Sequence, residues 1–134
     1  MKTSGSGKAL AVEPPDAAEI AGLIRSGHTR LGDARKASLS LESRFDLAYN
    51  AAHALCLAAL RRKGFRPRHR YIVFQGLPHT LGLGPEVWRV LAKAHDARNL
   101  AEYEGHVDVP ERLVLDVIAA AEVVAVQLDG KRME

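Results

Sequence analysis

Leu41–Lys63 reads LESRFDLAYNAAHALCLAALRRK, and its spacing decides the fold. Leu41, Phe45, Ala48, Ala52, Leu55 and Ala59 recur at intervals of three and four, as one face of a helix requires. Tyr49, Cys56 and Leu60 make a second apolar file beside the first. A helix apolar over so wide an arc belongs inside a helical core. Ser38 or Ser40 can cap its start by accepting an orphan N–H. Arg61, Arg62 and Lys63 suit the negative end of its dipole, and Gly64 is the stop.

Upstream, Pro14, Pro15 and Asp16 open an earlier helix with Ala17, Ile20, Leu23 and Ile24 on its apolar face. Ser26 and Gly27 are expected to interrupt it, leaving a second short helical piece over His28–Ala37. Residues 1–12, rich in Gly and Ser, read as a flexible lead-in. Their fragment GSGKA is not a phosphate-binding loop: the glycine spacing is wrong, and Ala9 follows Lys8 where Ser or Thr is needed. Downstream, Phe65–Arg70 is a basic loop, and Tyr71–Leu77 fits a shorter helix. Pro78, Gly82 and Gly84 then break the chain. Asp108 and Pro110 start a last helix to about Leu128, with Leu113, Val117, Ala120, Val124 and Leu128 as its stripe, before a polar tail over residues 129–134. There is no repeat and no alternation long enough for a strand. The expected fold is all-α, an up-and-down bundle of four to five helices in one domain over residues 13–128.

Composition agrees. At 134 residues the chain can bury a real core, and its Ala and Leu content with few aromatics favours helix on helix. A net charge of +3 does not identify a nucleic-acid binder. One cysteine, Cys56, excludes an internal disulfide and reads as a small buried hydrophobe. No apolar run is long enough to span a bilayer or form a signal-peptide core, so a cytoplasmic protein with no membrane partner is expected.

Gly84–His106 reads GPEVWRVLAKAHDARNLAEYEGH and carries the conflict that points to function. Pro85 and Glu86 suit a first turn, and Val87, Leu91, Ala94 and Ala101 form the apolar line. Arg98 falls on that same line. His95, Asn99, Glu102 and His106 form a polar file bordering it, where a helix ordinarily keeps apolar groups.

The stretches SRFDLAYNAAHALCLAALRRKGFRPRHR and AHDARNLAEYEGH together resemble the HEPN superfamily of small prokaryotic helical bundles, over about residues 38–128. That resemblance implies a bundle that dimerises with an Arg motif lining the cleft between subunits. It also implies RNA as a target or a minimal nucleotidyltransferase antitoxin as a partner, with no cofactor. Active members cut RNA without a metal, using Arg, a polar residue directly after it, and a His after four to six residues. Arg98 and Asn99 match the first half of that pattern; Tyr103 stands in the first histidine position, and His106 follows after seven residues.

Metal-free RNA cleavage needs a base for the ribose 2′-hydroxyl and a cation for the charge on phosphorus, roles that His and Arg fill well. Arg98, Asn99, His106 and Tyr103 are therefore the catalytic candidates, with His95, Glu102, His53 and Tyr49 lining the cleft. Arg98 could instead fork onto Glu102, Asp46 or Asp116 as a structural ion pair. Tyr103 is a poor base with a pKa near 10 and could be a half-buried aromatic. His53, in file with Tyr49, Cys56 and Leu60, reads equally as a core histidine. Arg61, Arg62, Lys63, Arg66, Arg68 and Arg70 could follow a phosphate backbone or meet an acidic partner, or could simply be a solvated helix end. No histidine pair has convincing metal spacing, and no metal is expected. The two readings that stand are an Arg-dependent ribonuclease and a non-catalytic, dimeric binding module of the same fold.

Overall fold

The computed structural model describes residues 10–105 and 108–130. Four long helices, α1 (Ala17–Ala34), α2 (Leu41–Arg62), α5 (Pro85–Glu104) and α6 (Glu111–Gly130), make the body. Two short ones, α3 (Arg70–Gln75) and α4 (Leu77–Thr80), lead from α2 towards α5. The expected all-α class holds, with one departure: Leu10–Val12 (β1) and Phe65–Pro67 (β2) pair antiparallel, Leu10 opposite Pro67 and Val12 opposite Phe65. Strands of three residues carry no readable alternation, so the pair was invisible to periodicity. Its consequence is that residues 10–12, expected in the lead-in, belong to the folded body.

The helix α2 is central, as its two apolar files require. It packs against α1, α6, α3, α4 and α5, and Phe45, Ala48, Tyr49, Ala52, Leu55, Cys56 and Leu60 are all buried. Ser40 caps it, its hydroxyl accepting from Ser43 N at 3.1 Å. Asp16 caps α1 in the same way through Glu19 N at 3.0 Å. The expected interruption at Ser26–Gly27 is absent, and α1 is continuous. Gly27 is a contact point: a Cβ built there would lie 2.6 Å from Leu55 Cγ. Close approach of α1 to α2 offsets the ~1 kcal/mol that glycine costs a helix interior.

Arginines on α2 tie neighbouring chain ends to it. Arg44 Nε donates to Ala34 O at 2.9 Å at the end of α1, and Arg62 Nη1 to Leu128 O at 3.1 Å near the end of α6. The latter helix runs to Gly130, past the expected start of the polar tail. Pro85 sits in the first turn of α5, and Gly105 ends it in the left-handed region at φ 84°. Its N–H donates to Ala101 O at 2.8 Å, closing the last turn as such caps do. Among the described residues no helix is long and apolar enough to cross a membrane.

Candidate functional site

Tyr49 is the pivot of the site. Its ring is fully buried in the middle of α2, with Phe74 of α3 edge-on at 5.8 Å and Phe45 stacked at 6.4 Å between centroids. Two guanidinium groups lie against it, Arg98 of α5 at 5.2 Å and Arg70 of α3 at 5.7 Å from the ring centroid. Both distances fall within the range of cation–π attraction. Arg98 is thus turned inward over an aromatic face, and its side chain keeps 29 % exposure. Of its three possible acidic partners the structure selects Glu102, at 2.9 Å one turn on. Asp116 pairs with Arg112 instead.

The Tyr49 hydroxyl lies 3.0 Å from His95 Nδ1, and Asn99 Nδ2 lies 3.0 Å from His95 Nε2. As the amide is oriented, Asn99 donates to Nε2, which leaves the proton on Nδ1 to be donated to Tyr49 Oη. Turning the amide over reverses both bonds, with Tyr49 donating to Nδ1 and Nε2–H to Asn99 Oδ1. Either arrangement holds a neutral imidazole with both nitrogens engaged. Burial lowers the pKa of His95, the positive charges of Arg70 and Arg98 adding to the effect while Asp96 and Glu102 oppose it. His95 is therefore neutral at pH 7.

His53, one turn beyond Tyr49 on α2, stands edge-on to Phe74 at 6.1 Å. Its Nε2 is buried without a hydrogen-bond partner among the described residues. Burial first, then the nearby charges of Arg70 and Arg98 and the neighbouring His95, push this imidazole down to about 4. It belongs to the same cluster as Arg98, but as a neutral ring. Cys56 is fully buried, and burial pushes its thiol pKa up, so it is an inert core side chain.

The α5 file therefore comes together in part. His95, Arg98, Asn99 and Glu102 join Tyr49 and His53 around one aromatic centre. Tyr103 does not join them: it is 91 % exposed, which also overturns the half-buried alternative. His106 lies outside the described residues.

The basic stretch is corrected more deeply. Arg61 is 1 % exposed and cannot belong to a surface patch. Its Nε donates to Glu19 Oε1 at 2.9 Å, Nη1 to Glu13 O and Phe65 O at 3.0 and 3.2 Å, and Nη2 to Pro14 O at 2.7 Å. Arg66 is bound to the same acids, Glu13 at 2.8 Å and Glu19 at 2.7 Å. Those guanidinium groups hold both carboxyls below their ordinary range. Arg62 is occupied by Leu128 O. Lys63, Arg68 and Arg70 remain as exposed cations. The acids that quench the others lie some fifty residues earlier in the chain, so the stretch itself gave no sign of them. The Arg70–Tyr49–Arg98 arrangement was equally hidden, since its members come from three different helices.

The fold and site define an all-helical bundle with a cationic–aromatic cluster where α2, α3 and α5 meet. No family model, curated protein or solved structure matches the chain. Among the described residues no group of three or more His, Cys, Asp or Glu side chains could hold a metal ion.

Proposed function

We propose that this protein is a HEPN-like up-and-down bundle that acts as a homodimer and recognises RNA through its Arg98 face without cutting it. The occupancy of His95 carries this reading. With both ring nitrogens in hydrogen bonds, that imidazole offers no lone pair to a ribose 2′-hydroxyl. Arg98 keeps what recognition needs: a fork of five N–H donors of which Glu102 takes one side, on a partly exposed side chain whose inner face is fixed over Tyr49. Leu100, 56 % exposed, and Tyr103 flank the file with apolar surface of the sort a second subunit covers. A nucleotidyltransferase, the protein partner that the resemblance implies, would approach the same side.

Anisotropy titration of a labelled mixed-sequence oligoribonucleotide tests the reading. Wild type binds with an affinity that falls as salt rises, the RNA stays intact, and Arg98→Ala weakens binding about tenfold, the usual scale of one charge-assisted contact. Light scattering on the same sample reports two subunits. RNA cleavage that disappears in Arg98→Ala would make the protein the ribonuclease of the competing reading. Absence of binding even at low salt would sink recognition of RNA altogether.

A further inference from the structure

Between α2, β2 and the start of α3 there is an open cavity of about 210 Å³. Its apolar floor is Leu57 of α2 and Val73 of α3, and His53 borders it from α2. Arg68, His69 and Arg70 form the opposite wall. Among the described residues no carboxylate lines it. Glu13 and Glu19, which reach the lining residue Arg66, are already bound by Arg61 and Arg66. Arg68 and His69 make no ion pair or side-chain hydrogen bond among the described residues, and Arg70, which lies against the Tyr49 ring, makes a long bond to Asn50 at 3.5 Å and no ion pair. His53 adds a ring whose Nε2 has no partner.

The wall is also held in place before any ligand arrives. Its first residues, Arg66 and Pro67, lie in β2, paired with β1, and Arg61 and Arg66 fasten that ribbon from behind. A solvated basic loop needs none of this anchoring. Donors carried on an anchored backbone beside apolar side chains, with no carboxylate bound to them, attract an anion more strongly than the same charges on a mobile loop, because less ordering remains to be done. The volume is below that of sites for drug-sized ligands and suits a compact group.

We propose that this cavity binds a small phosphate-type oxyanion, the doubly charged head of a phosphomonoester, with Arg68, His69 and Arg70 as its donors. The site shares Arg70 and His53 with the cluster around Tyr49, but Arg68 and His69 belong to it alone, and it stands whether or not the protein binds RNA. A phosphomonoester head could be free phosphate or the end of a nucleotide, and both present the same oxygen acceptors to these donors.

Calorimetric titration of the full chain with inorganic phosphate and, in parallel, with a nucleoside 5′-monophosphate tests it, with the His53 ring resonances followed by NMR. Saturable binding of either probe below about 10 mM is expected, the tighter one naming the source, together with saturable movement of the His53 signals. Arg68→Gln, at an exposed position, weakens that binding about tenfold and leaves the melting temperature unchanged. Arg89→Gln removes an equal charge from an exposed site on α5 and leaves it unaltered. If neither probe saturates, or if Arg68→Gln binds like wild type, or if Arg89→Gln loses as much, the proposal is wrong. The RNA titration of Arg68→Gln and Arg98→Ala side by side keeps the two sites distinguishable.

Discussion

A guanidinium taken out of water needs acceptors for its N–H groups, and Arg61 finds them in the chain around it. Four of its N–H groups donate to Glu19 Oε1 and the carbonyls of Glu13, Pro14 and Phe65, and the Glu13 carboxylate lies 3.2 Å from Nη2 as an ion pair. Removing it takes the donor from three carbonyls and from part of two acids. Arg61→Ala should cost about 3 kcal/mol, roughly 10 °C in Tm, whereas exposed Lys63→Ala should move Tm by little. Differential scanning calorimetry of the pair decides it; equal, small shifts would return Arg61 to the surface. His53 makes the second prediction at this scale. Its folded pKa of about 4 lies below the ordinary 6.5, so the unfolded chain binds the extra proton first as pH falls. Stability is full above pH 6.5 and declines between 6.5 and about 4, by on the order of 3 kcal/mol. His53→Gln should make that window shallower, leaving the part that His95 contributes, while keeping the decline below it, where Glu13 and Glu19 take up protons. A variant as pH-sensitive as wild type between 6.5 and 4 would contradict the assignment.

At the scale of the element, two glycines of α1 have opposite meanings. Gly27 is pressed against Leu55, and an added Cβ would also lie 3.3 Å from Ala51 O. Gly32 has nothing within 4 Å of its Cβ position. Gly27→Ala should lose about 1–2 kcal/mol net, the overpacking exceeding the gain in helix propensity. Gly32→Ala should gain about 0.5–1 kcal/mol. Urea midpoints for the two variants check the signs, and a stabilised Gly27→Ala would mean that α1 and α2 do not touch there. These glycines also show what the sequence could reveal. Periodicity located α2, α5 and α6 within a few residues, and the serine and aspartate caps marked where α2 and α1 begin, because those signals are local. A glycine that is a contact and a glycine that is a break look the same until the facing helix is known. The short α4 and the paired strands were missed for a related reason: neither is long enough to show a period.

Across the whole molecule, legibility followed the range of the interaction. The helical class and central position of α2 follow from patterns within single segments. The grouping of His95, Asn99 and Arg98 follows from spacing on one helix. What lay beyond reach was pairing between distant segments: Arg61 and Arg66 with Glu13 and Glu19, and Tyr49 with Arg70 and Arg98. Formal charge counted six cations between residues 61 and 70. Distance removes Arg61, Arg62 and Arg66 from that number and leaves the others on the outside. The protein is consequently much less of a basic surface, and more of a small number of placed charges, than its composition implies.

The β1–β2 ribbon bears on how the chain is assembled during translation. Leu10–Val12 emerges early, but its partner Phe65–Pro67 is made only after all of α2. For that interval the leading segment has no strand to join, and Glu13 and Glu19 have no guanidinium to hold. Leu10–Val12 is therefore secured only when the chain is half made, and its pairing completes the wall from which Arg68 projects.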